Sequence, residues 1–309
     1  MKSKIYVIGS SNTDMLVKST FLPKPGETVI GNTFLMNPGG KGANQAVSAC
    51  KLGADVTFIT KVGNDMFGKK AIKNFKNIGI NTSFIKIDKK KPSGVAIIMV
   101  DKKGENSISV APGSNNSLTI KDVDFLKKKL NSSDYVLVQL EIPLIVVEYL
   151  IEMCNELNVK LILNPAPFQK ISDYHLSLVN TITPNETEAQ YLSGIEVNDK
   201  ETAKKASEIL IDKGIQNVII TMGEKGAFYK SSSFEGLIPT NKVKVKDTTA
   251  AGDTFNGGLV VGLSMKMDML TSIDFANNAA TYSVTKLGAQ SSAPSINDLN
   301  NKFLKYVHS

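Results

Sequence analysis

The chain has 309 residues, of which 42% are hydrophobic and 21% charged, and no apolar run approaches the roughly 18 residues that a membrane span needs. Its net charge of +7 comes from lysines in short, scattered runs without Trp, which favours a solvated surface over a nucleic-acid patch. The apolar run after Lys4 is too short for a signal peptide, and two cysteines give no disulfide framework, so we expect a cytoplasmic protein without membrane or nucleic-acid partners.

The first part of the chain alternates buried strands with helices. The predicted elements are a strand at 4–9, a helix at 42–52, a strand at 55–60, a helix at 65–77 and short strands at 82–87, 94–100 and 106–110. Short segments broken by prolines at 13–33, and the strands near 94–110, are typical of antiparallel sheet. Because neither stretch is large enough for a core, we interpret them as insertions, at about 13–40 and 94–112, that form one small antiparallel β lid.

After residue 120 the alternation becomes regular. The predicted elements are helices at 120–130, 143–157, 186–193, 200–213, 252–265, 270–287 and 296–305, and strands at 134–139, 160–164, 217–222, 226–230 and 233–238. Strands that alternate with helices predict a doubly wound, mostly parallel sheet. The expected fold is therefore a single Rossmann-like α/β domain over residues 1–309, with the lid added to it.

The stretch from Asp247 to Gly258 precedes an apolar helical pattern. Its small residues Ala250, Ala251 and Gly252 allow backbone N–H groups to approach a ligand, and a helix N-terminus would aim unpaired N–H groups at that ligand. Asp253 would stand at the mouth of this anion hole, where it could accept a proton from a hydroxyl. This arrangement indicates phosphoryl transfer to an alcohol. The alternative is that Asp253 is only the N-cap of the helix.

Polar side chains follow the strands at one edge of the predicted sheet. Asn12 and Asp14 come after the first strand and Glu141 after the strand at 134–139, where ligands bind in open α/β sheets. Lys41 and Asn44 lie about one turn apart at a helix start that follows a pair of glycines. These donors and acceptors suit sugar hydroxyls. The alternatives are Asx turns and an ordinary glycine-rich turn.

A second polar group opens a later helix. Asn185 and Glu188 lie one turn apart on one helix face, where they could hold magnesium waters and phosphate oxygens. The alternative is a helix start whose acids satisfy the dipole. The segment from Thr221 to Gly226 follows an apolar strand, and it is either a glycine-rich loop beneath a nucleotide or a hairpin turn.

In this order, the motifs resemble the ribokinase branch of the PfkB sugar-kinase family over essentially the whole chain. The segments that carry the resemblance are Gly39–Ala46, Thr183–Glu188 and Thr249–Gly257. The resemblance implies ATP-dependent phosphorylation of the 5-hydroxyl of D-ribose, with Asp253 as the catalytic base and the backbone of Ala250, Ala251 and Gly252 as the anion hole. It also implies Mg²⁺ with ATP, K⁺ as an activating cation, and a homodimer formed through the lid.

The resemblance assigns binding roles position by position. The matches to sugar-binding positions are Asn12, Asp14, Gly40, Lys41, Asn44, Glu141 and Asp253. The matches to nucleotide-binding positions are Asn185, Glu188, Thr221, Gly223, Gly226, Gly252 and Asn277, with Glu188 in the magnesium–phosphate region. The matches to a monovalent-cation site, several through backbone carbonyls, are Asp247, Thr249, Ser283, Lys286, Gly288 and Ser292.

Other functions remain open at this point. Another kinase of the same family, such as a deoxyribokinase, a fructokinase or a nucleoside kinase, is the nearest alternative. The polar set of Asn12, Asp14, Lys41 and Asn44 favours a free sugar over a nucleoside, whose base would call for an apolar pocket, but it does not separate ribose from 2-deoxyribose. A non-catalytic sugar-binding regulator is disfavoured, because it would have no use for the base Asp253.

Overall fold

The computed structural model describes residues 3–299 and Phe303. The strands are β1 (Ile5–Ile8), β2 (Asn12–Lys18), β3 (Thr33–Gly39), β4 (Val56–Ile59), β5 (Lys61–Gly63), β6 (Lys86–Asp88), β7 (Gly94–Val100), β8 (Asn106–Ala111), β9 (Tyr135–Gln139), β10 (Lys160–Asn164), β11 (Thr181–Ile182), β12 (Asn217–Thr221), β13 (Ala227–Ser231) and β14 (Glu235–Ile238). The helices are α1 (Lys41–Lys51), α2 (Met66–Ile78), α3 (Ile120–Val123), α4 (Leu144–Glu156), α5 (Asp173–Ser177), α6 (Glu186–Ser193), α7 (Lys200–Asp212), α8 (Ala251–Ser264) and α9 (Met269–Ser283).

The central sheet has eight strands in the order β14-β13-β12-β11-β10-β9-β1-β4. The strands from β12 to β4 run parallel, and β13 and β14 add an antiparallel edge. Parallel strands covered on both faces are almost continuously apolar, as the fully buried β1 and β9 are. The predicted doubly wound, mostly parallel α/β fold is confirmed.

Helices cover both faces of this sheet. Alternate strand residues point to opposite faces, so Ile8 packs in a core with α4, α6 and α7, whereas Val7 packs in a second core with α1, α8 and α9. In the second core α1 and α8 approach closely at Gly257, where an added Cβ would lie 2.6 Å from Ser48 Cβ. The two helices also meet in their first turns, where Asn44 Nδ2 donates to Asp253 Oδ2 at 2.9 Å.

A second sheet contains β3, β2, β7 and β8 in that order. The pairs β2–β3 and β7–β8 are antiparallel hairpins, as predicted, but β2 and β7 pair in parallel. The predicted wholly antiparallel lid is therefore wrong in this one pairing. Asn12, the first residue of β2, pairs with Gly94, the first residue of β7, so the first strands of the two hairpins run side by side. We call this four-stranded sheet the lid sheet.

Some predicted elements differ in the structure. The predicted helix at 120–130 is only α3, followed by a 3₁₀ turn at Asp124–Lys128 in which Leu126 is buried and Asp124 accepts a hydrogen bond from Tyr149. The predicted last helix begins as a 3₁₀ turn at Ile296–Asp298 and otherwise lies outside the described residues, apart from Phe303. Between residues 3 and 299, no helix is long and apolar enough to cross a bilayer.

Candidate active site

Helix α8 begins at an unusual backbone position. Its N-cap is Ala250, which has the left-handed angles φ 60° and ψ 18° and makes no side-chain cap. L-residues other than glycine adopt this conformation at a cost, and such strain is typical of functional sites. Asp253 lies three residues inside the helix, so the alternative prediction that Asp253 is the N-cap is wrong.

The Asp253 carboxylate is buried and held by two amides from α1. Asn44 Nδ2 donates to Oδ2 at 2.9 Å, and Gln45 Nε2 donates to Oδ1 at 3.0 Å. Burial raises the pKa of Asp253, while the Lys41 charge and the two amides act in the opposite direction. The two hydrogen bonds fix the plane of the carboxylate at the point where α1 and α8 meet.

The sugar-binding candidates form a charged cluster around Asp253. The pKa of Asp14 is raised to about 6 by burial and then by the neighbouring Glu141 and Asp253 carboxylates. Burial lowers the pKa of Lys41, but Asp253, Glu141 and Glu188 outweigh this effect and raise it. Glu141 Oε2 accepts hydrogen bonds from Lys41 N at 3.0 Å and from Ser10 Oγ at 2.5 Å. The cluster therefore places the Lys41 ammonium group among carboxylates, which can accept hydrogen bonds from hydroxyl groups.

Close backbone contacts position this cluster. Gly40 has φ 89°, and a Cβ there would lie 2.7 Å from Asn12 N, so a side chain would be both strained and obstructed. A Cβ at Gly39 would lie 2.2 Å from the Asp14 carboxylate. The predicted glycine pair thus brings the start of α1 against the residues that follow β1.

A cavity of about 300 Å³ lies beside this cluster. Its lining residues are Asn12, Val110, Pro112, Asn115, Asn116, Leu140, Glu141, Ile142, Pro167 and Gln169. Asn12 and Glu141 were predicted as sugar-binding residues, whereas the contributions of Val110 and Asn115 were missed. Val110 lies in strand β8 of the lid and Asn115 in the turn directly after it, and no sequence motif marks either residue as part of the site.

A larger cavity of about 500 Å³ lies on the other side of the α8 N-terminus. It is bordered by six of the predicted nucleotide-binding residues, namely Asn185, Thr221, Gly223, Gly226, Gly252 and Asn277. An apolar wall that was not predicted is formed by Val243, Val245, Phe255, Ala280 and Val284. The alternation of lysine and valine at 242–246 was the available signal, because it leaves Val243 and Val245 partly exposed on one side of the chain.

Glu188, also predicted at this site, does not line the cavity. Its carboxylate accepts from Asn185 N at 2.9 Å, and Asn185 Oδ1 accepts from Glu188 N at 2.8 Å, so the two residues form a capping box. Burial raises the pKa of Glu188, with the Asn185 amide and Lys41 opposing it. Residues 3–299 contain no cluster of three or more metal-ligating side chains, but Mg²⁺ at a nucleotide needs only one or two carboxylates beside the phosphates, so Glu188 fits this role.

The predicted anion hole is partly open. Ala251 and Gly252 line the larger cavity. The Ala251 amide donates to Thr248 O at 3.2 Å, whereas no acceptor among the described residues is found for the amides of Ala250 and Gly252. Of these two unpaired amides, that of Gly252 belongs to a residue that lines the larger cavity.

The predicted cation-binding positions lie in the segment before α8 and in the segment that runs from Ser283, the last residue of α9, to Ser292, and Asp247 joins the two. Asp247 Oδ1 accepts from Thr249 N at 2.9 Å, and Oδ2 accepts from Gly288 N at 2.8 Å. Lys286 N donates to Ser283 O at 3.0 Å, which places these two residues on one turn. The Ser292 hydroxyl donates to Ala289 O at 2.7 Å. Backbone carbonyl oxygens and one carboxylate are ligands that suit a monovalent cation.

Further amides extend from Asp253 into the protein. Gln139 Nε2 donates to Gln45 Oε1 at 2.6 Å, Gln45 Nε2 also donates to Asn164 Oδ1 at 3.0 Å, and Gln290 Nε2 donates to Asn44 Oδ1 at 3.2 Å. These supporting residues were not predicted. Gln45 lies inside the Gly39–Ala46 run and could have been found there, but nothing in the sequence indicates Gln290.

Comparisons with known proteins agree with this architecture. Residues 2–296 match the model of the pfkB family carbohydrate kinases. The chain is 45% identical to a ribokinase of Haemophilus influenzae, over 95% of this chain and 96% of that protein, and 37% identical to a deoxyribokinase of Salmonella typhi, over 96% and 97%. The structure of Arabidopsis thaliana ribokinase complexed with ribose and ATP is similar with a TM-score of 0.89 at 27% identity, over 100% of both chains. The chain therefore belongs to the pfkB family of carbohydrate kinases.

Proposed function

We propose that this protein catalyses the ATP-dependent phosphorylation of D-ribose at its 5-hydroxyl, which gives ribose 5-phosphate. The observation that carries the proposal is the position of Asp253, whose buried carboxylate lies in the first turn of α8, between the sugar-side cluster and the cavity of about 500 Å³. The ribokinases of Haemophilus influenzae and Arabidopsis thaliana support the choice of substrates, since the latter binds ribose and ATP. The free thiols Cys50 and Cys154 suit a cytoplasmic site for the reaction.

The mechanism rests on positioning and charge. Phosphoryl transfer leaves little covalent chemistry to the protein, so aligning the two substrates and stabilising charge supply most of the rate. Asp253 accepts the proton of the 5-hydroxyl while the oxygen of that hydroxyl bonds to the terminal phosphorus of ATP. The bond from this phosphorus to the bridging oxygen breaks, and ADP is the leaving group. The open amides of Ala250 and Gly252 donate to the transferring group in the manner of an oxyanion hole. The proton on Asp253 then passes to solvent as the product leaves.

The sugar is held by donors and acceptors of the charged cluster. Asp14 and Glu141 accept hydrogen bonds from sugar hydroxyls, and Lys41 donates to them. Asn12, Asn44 and the backbone at Gly40 complete the contacts. Asn44 also donates to Asp253, so it places the sugar relative to the base.

The nucleotide occupies the larger cavity, with its flat base against the apolar wall and its phosphates toward Gly252. Glu188 and Asn185 would hold Mg²⁺ near the phosphates, where the ion would neutralise phosphate charge. The segments joined by Asp247 would hold K⁺ at Thr249, Ser283, Lys286, Gly288 and Ser292, in several cases through backbone carbonyls. A K⁺ ion there would add positive charge near the anion hole.

The lid sheet supplies the surface for a homodimer. One row of directly paired residues crosses all four strands, and it consists of Leu35, Leu16, Ile98 and Ile108. Leu35 and Ile108 are 43% and 55% exposed, and an exposed apolar row of this kind marks a contact surface. Ile108→Glu is expected to convert a dimer to a monomer in light scattering after gel filtration. A dimer of unchanged mass in that variant would rule out this surface.

A deoxyribokinase is the second candidate, because the Salmonella typhi enzyme is 37% identical to this chain. The test is ATP consumption with ribose, 2-deoxyribose, fructose and nucleosides, each with and without K⁺. We expect the highest kcat/KM with ribose and a higher rate in K⁺. A preference for 2-deoxyribose would select the second candidate, and no sugar-dependent ATP use would instead indicate a regulator.

A further inference from the structure

The side chain of Asn115 contacts Asn12 from inside the protein. Asn115 is 1% exposed and lies in the 3₁₀ turn Gly113–Ser117, directly after the lid strand β8. Its Nδ2 donates to Asn12 Oδ1 at 2.7 Å, and its Oδ1 accepts from Ser11 N at 2.9 Å. Nδ2 also lies 3.3 Å from Ser11 O. Every polar atom of this amide therefore has a partner.

The Ser11 backbone determines which way both amides face. A backbone N–H can only donate, so the Asn115 atom that faces Ser11 N is the oxygen. The NH₂ of Asn115 must then face Asn12, and it requires an acceptor there. Asn12 consequently turns its oxygen toward Asn115. Because Asn12 lines the cavity of about 300 Å³, the group that remains free for a ligand is its NH₂.

Packing at Gly94, the first residue of β7, holds this pair in place. A Cβ at Gly94 would lie 2.1 Å from Asn12 Oδ1 and 2.3 Å from Asn115 Nδ2. The backbone thus covers the Asn12–Asn115 hydrogen bond and leaves no space for a water molecule. Both strands of the hairpin β7–β8 take part, since Gly94 opens the hairpin and Asn115 follows its end.

We infer that Asn115 is a positioning residue for sugar binding, which fixes Asn12 as a hydrogen-bond donor toward an oxygen of the sugar. The inference rests on the proposed function. It gives the pocket a defined polarity, because the ionised carboxylates of Asp14 and Glu141 can only accept, whereas Asn12 can only donate. A sugar is therefore recognised by hydroxyls that donate on the carboxylate side and by an oxygen that accepts from Asn12.

A double-mutant cycle tests this inference. Asn115→Asp keeps the side-chain size and the acceptor for Ser11 N, but it replaces the donor to Asn12 with a second acceptor, so Asn12 turns its oxygen toward the sugar. We expect the ribose KM to rise about tenfold, as for one reversed hydrogen bond, with kcat changed by less than about threefold. In an Asn12→Ala background the same substitution should change KM by less than about threefold, because the residue through which it acts is gone.

Two further variants keep the test decisive. Asn106→Asp makes the same charge change at an exposed position of β8 and should leave KM unchanged. If Asn115→Asp does not fold, Asn115→Ala takes its place in the cycle. An unchanged KM, or an equal rise with and without Asn12, would overturn the inference while ribose phosphorylation by the wild type upholds the proposed function. A wild type that does not phosphorylate ribose overturns both.

Discussion

Gln45 Nε2 donates a hydrogen bond to Asp253 Oδ1 at 3.0 Å, and Gln45 is fully buried. Gln45 Oε1 accepts a hydrogen bond from Gln139 Nε2 at 2.6 Å. Because an ionised carboxylate can only accept, Gln45 donates to Asp253 through its NH₂. It stabilises the ionised form of the proposed base, against the burial that raises the pKa of Asp253.

Gln45→Met tests this support of the base. The substitution removes one donor while keeping an unbranched side chain, so the pKa of Asp253 should rise further. A hydrogen bond to a charged group is worth about 1.5–3 kcal/mol, which corresponds to about 1–2 pH units. The acidic limb of the pH profile of kcat/KM should shift to higher pH by up to that amount. The other charged groups that interact with Asp253, namely Lys41, Asp14, Glu141 and Glu188, remain in the variant.

Gln190→Met is the matched control, since Gln190 is exposed on α6. Its pH profile should coincide with that of the wild type. If Gln45→Met lowers the rate equally at every pH, its role is in packing and the account of the base is wrong.

The raised pKa of Asp14 predicts that removing its carboxyl group stabilises the folded protein but weakens ribose binding. The folded protein holds this proton up to about pH 6, whereas the ordinary carboxyl pKa is 3.8. Unfolding therefore releases a proton between these values, and the free energy of unfolding falls as the pH rises through that window. Asp14→Asn should be more stable than the wild type at pH 8, with the difference shrinking toward pH 4, and its ribose KM should rise. Urea unfolding at several pH values measures this.

Asp212→Asn, on the exposed end of α7, provides the control for the loss of a carboxylate. Its KM should be unchanged, and its stability should rise by less than ~1 kcal/mol, since an acid at the end of a helix opposes the helix dipole. A stability difference between Asp14→Asn and the wild type that is the same at pH 4 and pH 8 would contradict the raised pKa of Asp14.

Asp247 predicts the response to K⁺. Its two oxygens join the loops at Thr249 and Gly288, so Asp247→Ala should separate the backbone carbonyls proposed to hold the cation. We expect the wild-type rate to rise with KCl to a plateau and the variant rate to be lower and independent of KCl. Choline chloride at equal ionic strength is the control. A variant that is activated by K⁺ like the wild type would exclude this site.

The sequence predicted the elements that have long apolar runs. Strands such as β1 and β9 are buried throughout and could be recognised from composition alone. The strands β5 and β11 were missed, because they have only three and two residues. They are strands through their pairing with neighbouring strands, which the local sequence does not indicate. The parallel pairing of β2 with β7 was missed as well, because it joins two hairpins that are distant in the sequence.

The side chains proposed to contact the substrates were predictable from the sequence, but the residues that orient them were not. Asp253 and Asn44 belong to motifs, whereas the partners that orient them lie far away in sequence. The hydrogen bond from Asn115 to Asn12 spans 103 residues, and that from Gln290 to Asn44 spans 246. An amide has no fixed polarity of its own, so its role follows only from such partners.

The central claim is that Asp253 removes the proton of the 5-hydroxyl, and the most direct test is Asp253→Asn. This substitution keeps the size of the side chain but removes the base. We expect kcat for ribose phosphorylation to fall at least ~100-fold, the usual effect of losing a positioned base. The ribose Kd from titration calorimetry should change little. Turnover close to that of the wild type would contradict the account.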